Sequence, residues 1–420
     1  MQTLRVLAGC AAGLIISMAS LSVPPLQRMP AHAQPVAETK KADAKKAEVK
    51  KKTERKGPAT KDAQKAPERA PFTLEEQEAA IVPGIADARA WGDSATDFVR
   101  LLPQASGPWL AISGGGSDGA YGGGVLAGWT ESGTRPQFAV VTGVSIGALI
   151  APFAFLGPSY DEEIRKNFTT IAAADIFEDR VTRDSLFDDW PLKRIIEQRV
   201  NEKLLAEIAA EHARGRRLFV ATTNLDAGRR VIWNMGAIAA HGGDKALKLF
   251  RSILLASCSI PGFFSPVGIE VEAKGKPIEE MHNDGTLTAP FFAVPESMLA
   301  AGNPARPPLS ELYVIVNSKL GSDFTMTDRN IPGVLGRSIG VALTAALRAQ
   351  VMLVTVGAQR HGIGLHIAYV DPTFNLPSRG PFDGKYMQAL YEVGVAAGKK
   401  GTAFEDALPQ RSMRGSNSAQ

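Results

Sequence analysis

The chain has 420 residues, 45% of them hydrophobic, with only two cysteines and a net charge of +4. That apolar content suffices for one large domain, and two cysteines exclude a disulfide-built scaffold. The positive charge lies outside the part expected to fold: residues 34–70 carry +6 and residues 1–33 carry +2, leaving −4 for 71–420, so nucleic acid loses its main support as a partner.

Residues 1–33 join one early charge, Arg5, to an apolar run over 6–23 and end in Ala31-His32-Ala33. This is the pattern of a secretory signal peptide cleaved before Gln34, so the protein is expected to be exported, periplasmic or secreted. Leu7-Ala8-Gly9-Cys10 also matches a lipoprotein box, although little apolar core precedes Cys10, and a lipid anchor there is the alternative. Residues 34–70, rich in Lys and Ala and without an aromatic, are expected to be a disordered linker. They read either as a solvated spacer or as a basic tail drawn to an anionic membrane surface. No other stretch reads as long and apolar enough to cross a bilayer, which implies soluble or peripheral attachment.

Residues 71–106 read as a helical N-terminal extension, 107–400 as the main domain and 401–420 as a flexible tail. Within the domain, a strand over 109–113 leads to a glycine-rich turn and a helix toward Trp129. A strand over 138–142 leads through a second turn into an uncharged helical run. Asp189 is placed to cap a helix through Val200, with Pro191 in its first turn, and a further helix covers 202–214. Strands over 218–224 and 231–234 flank Asp226-Ala227-Gly228, and a helix over 245–257 leads into Pro261-Gly262. Strands at 267–272, 279–283 and 312–317, a helix over 336–360, a strand over 365–370 and a helix over 382–397 capped by Asp383 complete the chain. Apolar strands alternating with helices imply an α/β fold: three layers, with a mostly parallel central sheet and helices on both faces.

The chemistry centres on Gly143-Val144-Ser145-Ile146-Gly147. A G-x-S-x-G between a strand and a helix is a nucleophile elbow, which lifts a serine hydroxyl above the end of a sheet. Gly143 and Gly147 omit side chains that would strike the neighbouring strand and helix, and the helix start supplies N–H groups for an oxyanion. Gly114-Gly115-Gly116-Ser117-Asp118-Gly119 formally contains a dinucleotide fingerprint. That reading lacks the acidic residue needed at the end of the second strand, where Ser145 stands instead. The loop reads better as an oxyanion hole, with a tight packing turn as the plain alternative. A serine hydroxyl needs a base. One candidate is Asp284 in Asn283-Asp284-Gly285-Thr286, which is otherwise an ordinary Asp-Gly turn. The other is a triad of Ser145, Asp284 and His361 or His366. Cys258 reads as a buried small residue, and no metal-ligand cluster or cofactor motif is convincing.

Together these pieces resemble the patatin-like phospholipase family, in which a glycine-rich oxyanion loop, a G-x-S-x-G elbow and a D-G-G or D-G-A aspartate follow in that order. The segments Ala256-Ser257-Cys258-Ser259-Ile260-Pro261-Gly262 and Ala221-Thr222-Thr223-Asn224-Leu225-Asp226 resemble the family too. The resemblance implies a patatin-like fold and a catalytic dyad of Ser145 and Asp284 without histidine. It further implies oxyanion N–H groups from Gly114, Gly115 and Gly116, and a phospholipid or other lipid ester as substrate. Two departures stand out: Asp118 replaces a usual Arg or Lys, and Thr286 replaces a usual Gly or Ala. The expected activity is that of a phospholipase A or lysophospholipase. The rivals are a carboxylesterase or acyltransferase on other esters, and a non-catalytic envelope lipid-binding protein of the same fold.

Overall fold

The computed structural model describes residues 69–178, 180–182, 184–300 and 309–406. The expected signal peptide, residues 34–68 of the expected linker and residues 407–420 of the expected tail lie outside the described residues. From the N-terminus come α1 (Leu74–Glu78), β1 (Arg89–Trp91), α2 (Ala95–Val99), β2 (Trp109–Ile112), α3 (Gly119–Glu131), β3 (Val140–Val144) and α4 (Ile146–Leu156). Helices α5 (Asp161–Thr169), α6 (Trp190–Arg199) and α7 (Glu202–Ala213) lead to a hairpin of β4 (Arg217–Asn224) and β5 (Arg229–Asn234). Helices α8 (Met235–His241) and α9 (Gly243–Ser257) precede a second hairpin, β6 (Val267–Ala273) and β7 (Lys276–Asp284). The chain closes with α10 (Glu296–Leu299), β8 (Glu311–Val316), α11 (Ile331–His361), β9 (Gly364–Tyr369) and α12 (Gly384–Lys399).

The strands form one mixed sheet in the order β1-β5-β4-β3-β2-β8-β9, with β7 also pairing with β4 and carrying β6. Its centre, β4-β3-β2-β8-β9, is parallel. Every residue of β2 and β3 is buried, because each strand is covered on both faces. Alternate side chains supply the two cores: Leu110, Ile112, Leu218 and Val220 join one, while Trp109, Ala111, Phe219 and Ala221 join the other. Helices α3, α4, α9 and α12 cover the first face, and α10 with part of α11 covers the second. This is the expected three-layer α/β arrangement.

Helices α3 and α12 meet through glycines. A Cβ on Gly124 would lie 2.0 Å from the Tyr391 carbonyl oxygen, and one on Gly128 would lie 2.1 Å from that of Val395. Gly394 and Gly398 face back at Tyr121 and Val125 in the same way. The obstacle is backbone, which cannot swing aside. Gly128→Ala is therefore expected to cost about 1–3 kcal/mol, read as a lower midpoint in urea unfolding.

Four expectations need correction. The N-terminal extension is not purely helical: β1 adds an edge strand, pairing antiparallel with β5. Three residues are too few to show a period of two. Asp189 occupies the N-cap position of α6 but makes no capping bond; the carboxylate of Asp188 instead accepts from Trp190 N–H at 3.1 Å. Helix α11 begins five residues before the expected 336, because the Asn330 side chain caps it by accepting from Gly333 N–H. Finally, the helix over Gly333–His361 holds an 18-residue stretch that is apolar enough by composition to cross a membrane, with a mean hydropathy of 1.8, and only 22% of that stretch is buried. The glycines and arginines scattered through it mask the run in the sequence.

Candidate active site

The parallel strands end on one side, where the ends of β2 and β3 meet the end of the antiparallel strand β7. Strand β3 runs straight into Ser145, whose φ of 54° and ψ of −125° are strained for a residue with a side chain. The turn is tight enough that a Cβ on Gly143 would lie 2.4 Å from the Gly147 carbonyl oxygen, and one on Gly147 would lie 2.3 Å from that of Ile112. Strand β7 comes in antiparallel to β4 and ends at Asp284, opposite Thr222. Gly285 follows with no room for a Cβ, which would meet the Ala221 carbonyl oxygen at 2.4 Å.

Ser145 Oγ donates to Asp284 Oδ2 at 2.7 Å, across 139 residues of sequence. The other carboxylate oxygen, Oδ1, accepts from Thr286 N at 2.9 Å and Thr286 Oγ1 at 2.7 Å. Burial pushes the Asp284 carboxyl up to about 6, against the downward pull of its bonds from Thr286 and Ser145. A carboxylate so placed is a better base than one in water and is still ionised at neutral pH. Wild-type ester hydrolysis is therefore expected to fall as pH drops through about 6. The Thr286 hydroxyl favours the charged form, so Thr286→Val should move this acid limb upward by about half a pH unit or more. A pH–rate profile of both proteins on a soluble ester checks it.

The elbow is held from behind by residues that sequence reading had not assigned. Ser257 at the end of α9 accepts from Ser145 N–H at 2.9 Å and donates to the Ala221 carbonyl at 2.8 Å. The Cys258 thiol donates to the Ser145 carbonyl at 3.2 Å; burial raises its pKa well above the ordinary thiol value. Asp284 N–H donates to the Ser259 carbonyl at 3.0 Å. One small-residue run, Ser257-Cys258-Ser259, thus fixes both partners; its resemblance to a family segment was the signal available.

The glycine loop abuts Ser145. A Cβ on Gly114 would lie 3.1 Å from Ser145 Cβ and 2.3 Å from Thr286 Cγ2. Gly114 is not a free donor, however: its N–H is engaged by the Pro290 carbonyl at 3.0 Å. Among the described residues the N–H groups of Gly115 and Gly116 donate to no protein acceptor. Asn317 braces the loop, donating from its amide to the Ser113 carbonyl at 2.8 Å and accepting from Gly122 N–H at 3.1 Å. Asp118, the departure from the family pattern, accepts from the Tyr386 hydroxyl at 2.8 Å, and burial pushes its carboxyl up to about 6.

The histidines stand apart. His366 lies near the start of β9, at the opposite end of the parallel strands from the elbow, bonded to Glu311 at 2.7 Å and Asp406 at 2.6 Å. His361 ends α11 just before β9 begins. His282 is buried between Thr222 and Glu280. Among the described residues the side-chain partner of Ser145 Oγ is Asp284 and those of the Asp284 carboxylate are Ser145 and Thr286, which gives the alternative triad no geometric support.

No curated protein matches the sequence. Among solved structures, the crystal structure of VipD from Legionella pneumophila is similar over 72% of this chain and 68% of its own, at 12% identity and a TM-score of 0.36. That likeness is too loose to place any residue. Residues 110–295 match the family model for patatin-like phospholipases, a span that includes the glycine loop, the elbow and the aspartate. That segment of the chain is a patatin-like phospholipase domain.

Proposed function

We propose that the protein is a serine acyl-ester hydrolase of the phospholipase A or lysophospholipase type, working through Ser145 and Asp284. The family supports lipid acyl hydrolysis in general. The finer reading rests on one observation above all, the 2.7 Å bond from Ser145 Oγ to a desolvated Asp284 carboxylate within a strained elbow. Asp284 takes the Ser145 proton as Oγ adds to the ester carbonyl carbon. The N–H groups of Gly115 and Gly116, with Ile146 N–H in the first turn of α4, face the developing oxyanion. Collapse expels the alcohol, which receives the proton from Asp284 and leaves an acyl-serine. Water then adds with the same aspartate as base, releasing the carboxylic acid and restoring Ser145.

A small apolar cavity of about 50 Å³ is lined by Ile146, the residue after Ser145, and by Leu149, Phe153, Phe168 and Ile196 between α4, α5 and α6. The test is release of fatty acid from phospholipid and lysophospholipid by the wild type and by Ser145→Ala. Release by the wild type alone supports the reading. Equal release by both proteins, or none by either, refutes it.

A further inference from the structure

We propose that the outer face of α11 is a lipid-docking surface, which seats the active-site end of the sheet on an anionic membrane. This extends the lipid-hydrolase reading, on which the choice of a lipid occupant partly rests. A helix lying on a protein body normally turns polar residues to water. Here Val334, Val341, Met352 and Val356 lie along one stripe and are 45–51% exposed. Ile331 at its N-terminus is 82% exposed, and Phe324 and Met326 in the preceding loop are 71% and 80% exposed. The opposite face is committed to the fold: Leu347, Val351, Val354 and Ala358 are buried in the second core.

That division argues for lying on a bilayer and against crossing one. Taking α11 through a membrane would strip those four residues from the core. The half in which no described side chain is buried, 331–346, would span about 24 Å, short of a hydrocarbon core of about 30 Å. Charge favours an anionic lipid. Between Asp328 and Asp371 the sequence has no Asp or Glu, while Arg329, Arg337, Arg348 and Arg360 fall within it. Arg348 lies on the apolar stripe, where its stem can stay in lipid and its guanidinium reach a phosphate.

The surface is continuous with the site. The Leu335 side chain lies within 3.7 Å of a Cβ built on Gly262, and Phe263 within 3.6 Å of one built on Gly336. That loop follows directly from Ser257-Cys258-Ser259, which holds Ser145 and Asp284. The chain leading into α11 leaves from Asn317, the brace of the glycine loop. A bilayer under α11 would thus lie beside the nucleophile.

Hydrogen exchange of the full chain carrying Ser145→Ala, with and without phosphatidylglycerol vesicles, tests the proposal locally and leaves the lipid intact. Exchange over 331–346 should slow with vesicles, and V334E/V341E/M352E should abolish the slowing. In the background with Ser145 intact, the same triple variant should cut release from vesicles by about tenfold or more while sparing a soluble short-chain ester. Unchanged exchange with vesicles overturns the proposal, as does protection that rises with protein concentration alone, which would mark a second copy as the occupant. Equal loss on vesicles and soluble ester would mark a structural role and also overturn it. Vesicle protection in a protein that hydrolyses no ester would leave the docking surface standing and remove the hydrolase.

Discussion

Asp284→Asn is expected to abolish ester hydrolysis, by about 10³-fold or more, while making the protein more stable above pH 6. The loss follows because an amide cannot accept the Ser145 proton. The gain follows from burial. The Asp284 carboxyl is raised from 3.8 to about 6 in the folded chain. Between those values the unfolded chain ionises and the folded one does not, so wild-type stability falls as pH rises through that window. The variant lacks this loss. Its advantage should be absent below about pH 4 and reach about 2–3 kcal/mol above pH 6. Urea unfolding of both proteins at acid and mildly alkaline pH measures it. Ser145→Ala should lose activity equally without the pH-dependent gain. An Asp284→Asn protein that is inactive because it is unfolded would contradict the account.

Gly115→Ala should reduce turnover by about 10²–10³-fold through the oxyanion loop. Gly115 has a φ of 155°, and a Cβ there would lie 2.0 Å from the Asn317 carbonyl oxygen. Since that obstacle is backbone, the loop must shift, and its free N–H groups shift with it. A stability cost of about 1–3 kcal/mol should accompany the change. The two effects separate by assay: kcat on a soluble ester measured well below the unfolding transition reports the loop, and the transition itself reports the packing. Wild-type kcat in a folded Gly115→Ala would remove the loop from the reaction.

What the sequence made legible was what is local. The G-x-S-x-G elbow, the glycine loop and Asp284 each announce themselves within a few residues, because a sharp turn constrains its own neighbours. The buried parallel strands were legible for a similar reason, as uninterrupted apolar runs bounded by glycine or polar residues. What escaped was made by distance in the chain. Ser257 supports Ser145 across 112 residues, and Asn317 reaches Ser113 across 204. Apart from the family resemblance around Ser257, neither a serine at a helix end nor an asparagine after a strand signals such a partner. Gly114 shows the same limit within the motif itself, since only the fold brings the Pro290 carbonyl to its N–H. Thr286 read as a bulky substitution beside Asp284, and its hydroxyl proves to bond the Asp284 carboxylate. Helix α11 was legible as a helix, but not as one with an apolar outer face, because which side is covered depends on where the second core lies.

The central claim, that Asp284 alone activates Ser145, is tested most directly by the rate at which a fluorophosphonate modifies the protein as pH is varied. The account predicts a single adduct on Ser145, formed at a rate that rises with an inflection near 6, and its near absence in Asp284→Asn. An adduct on another serine would contradict it, as would labelling of Asp284→Asn at the wild-type rate.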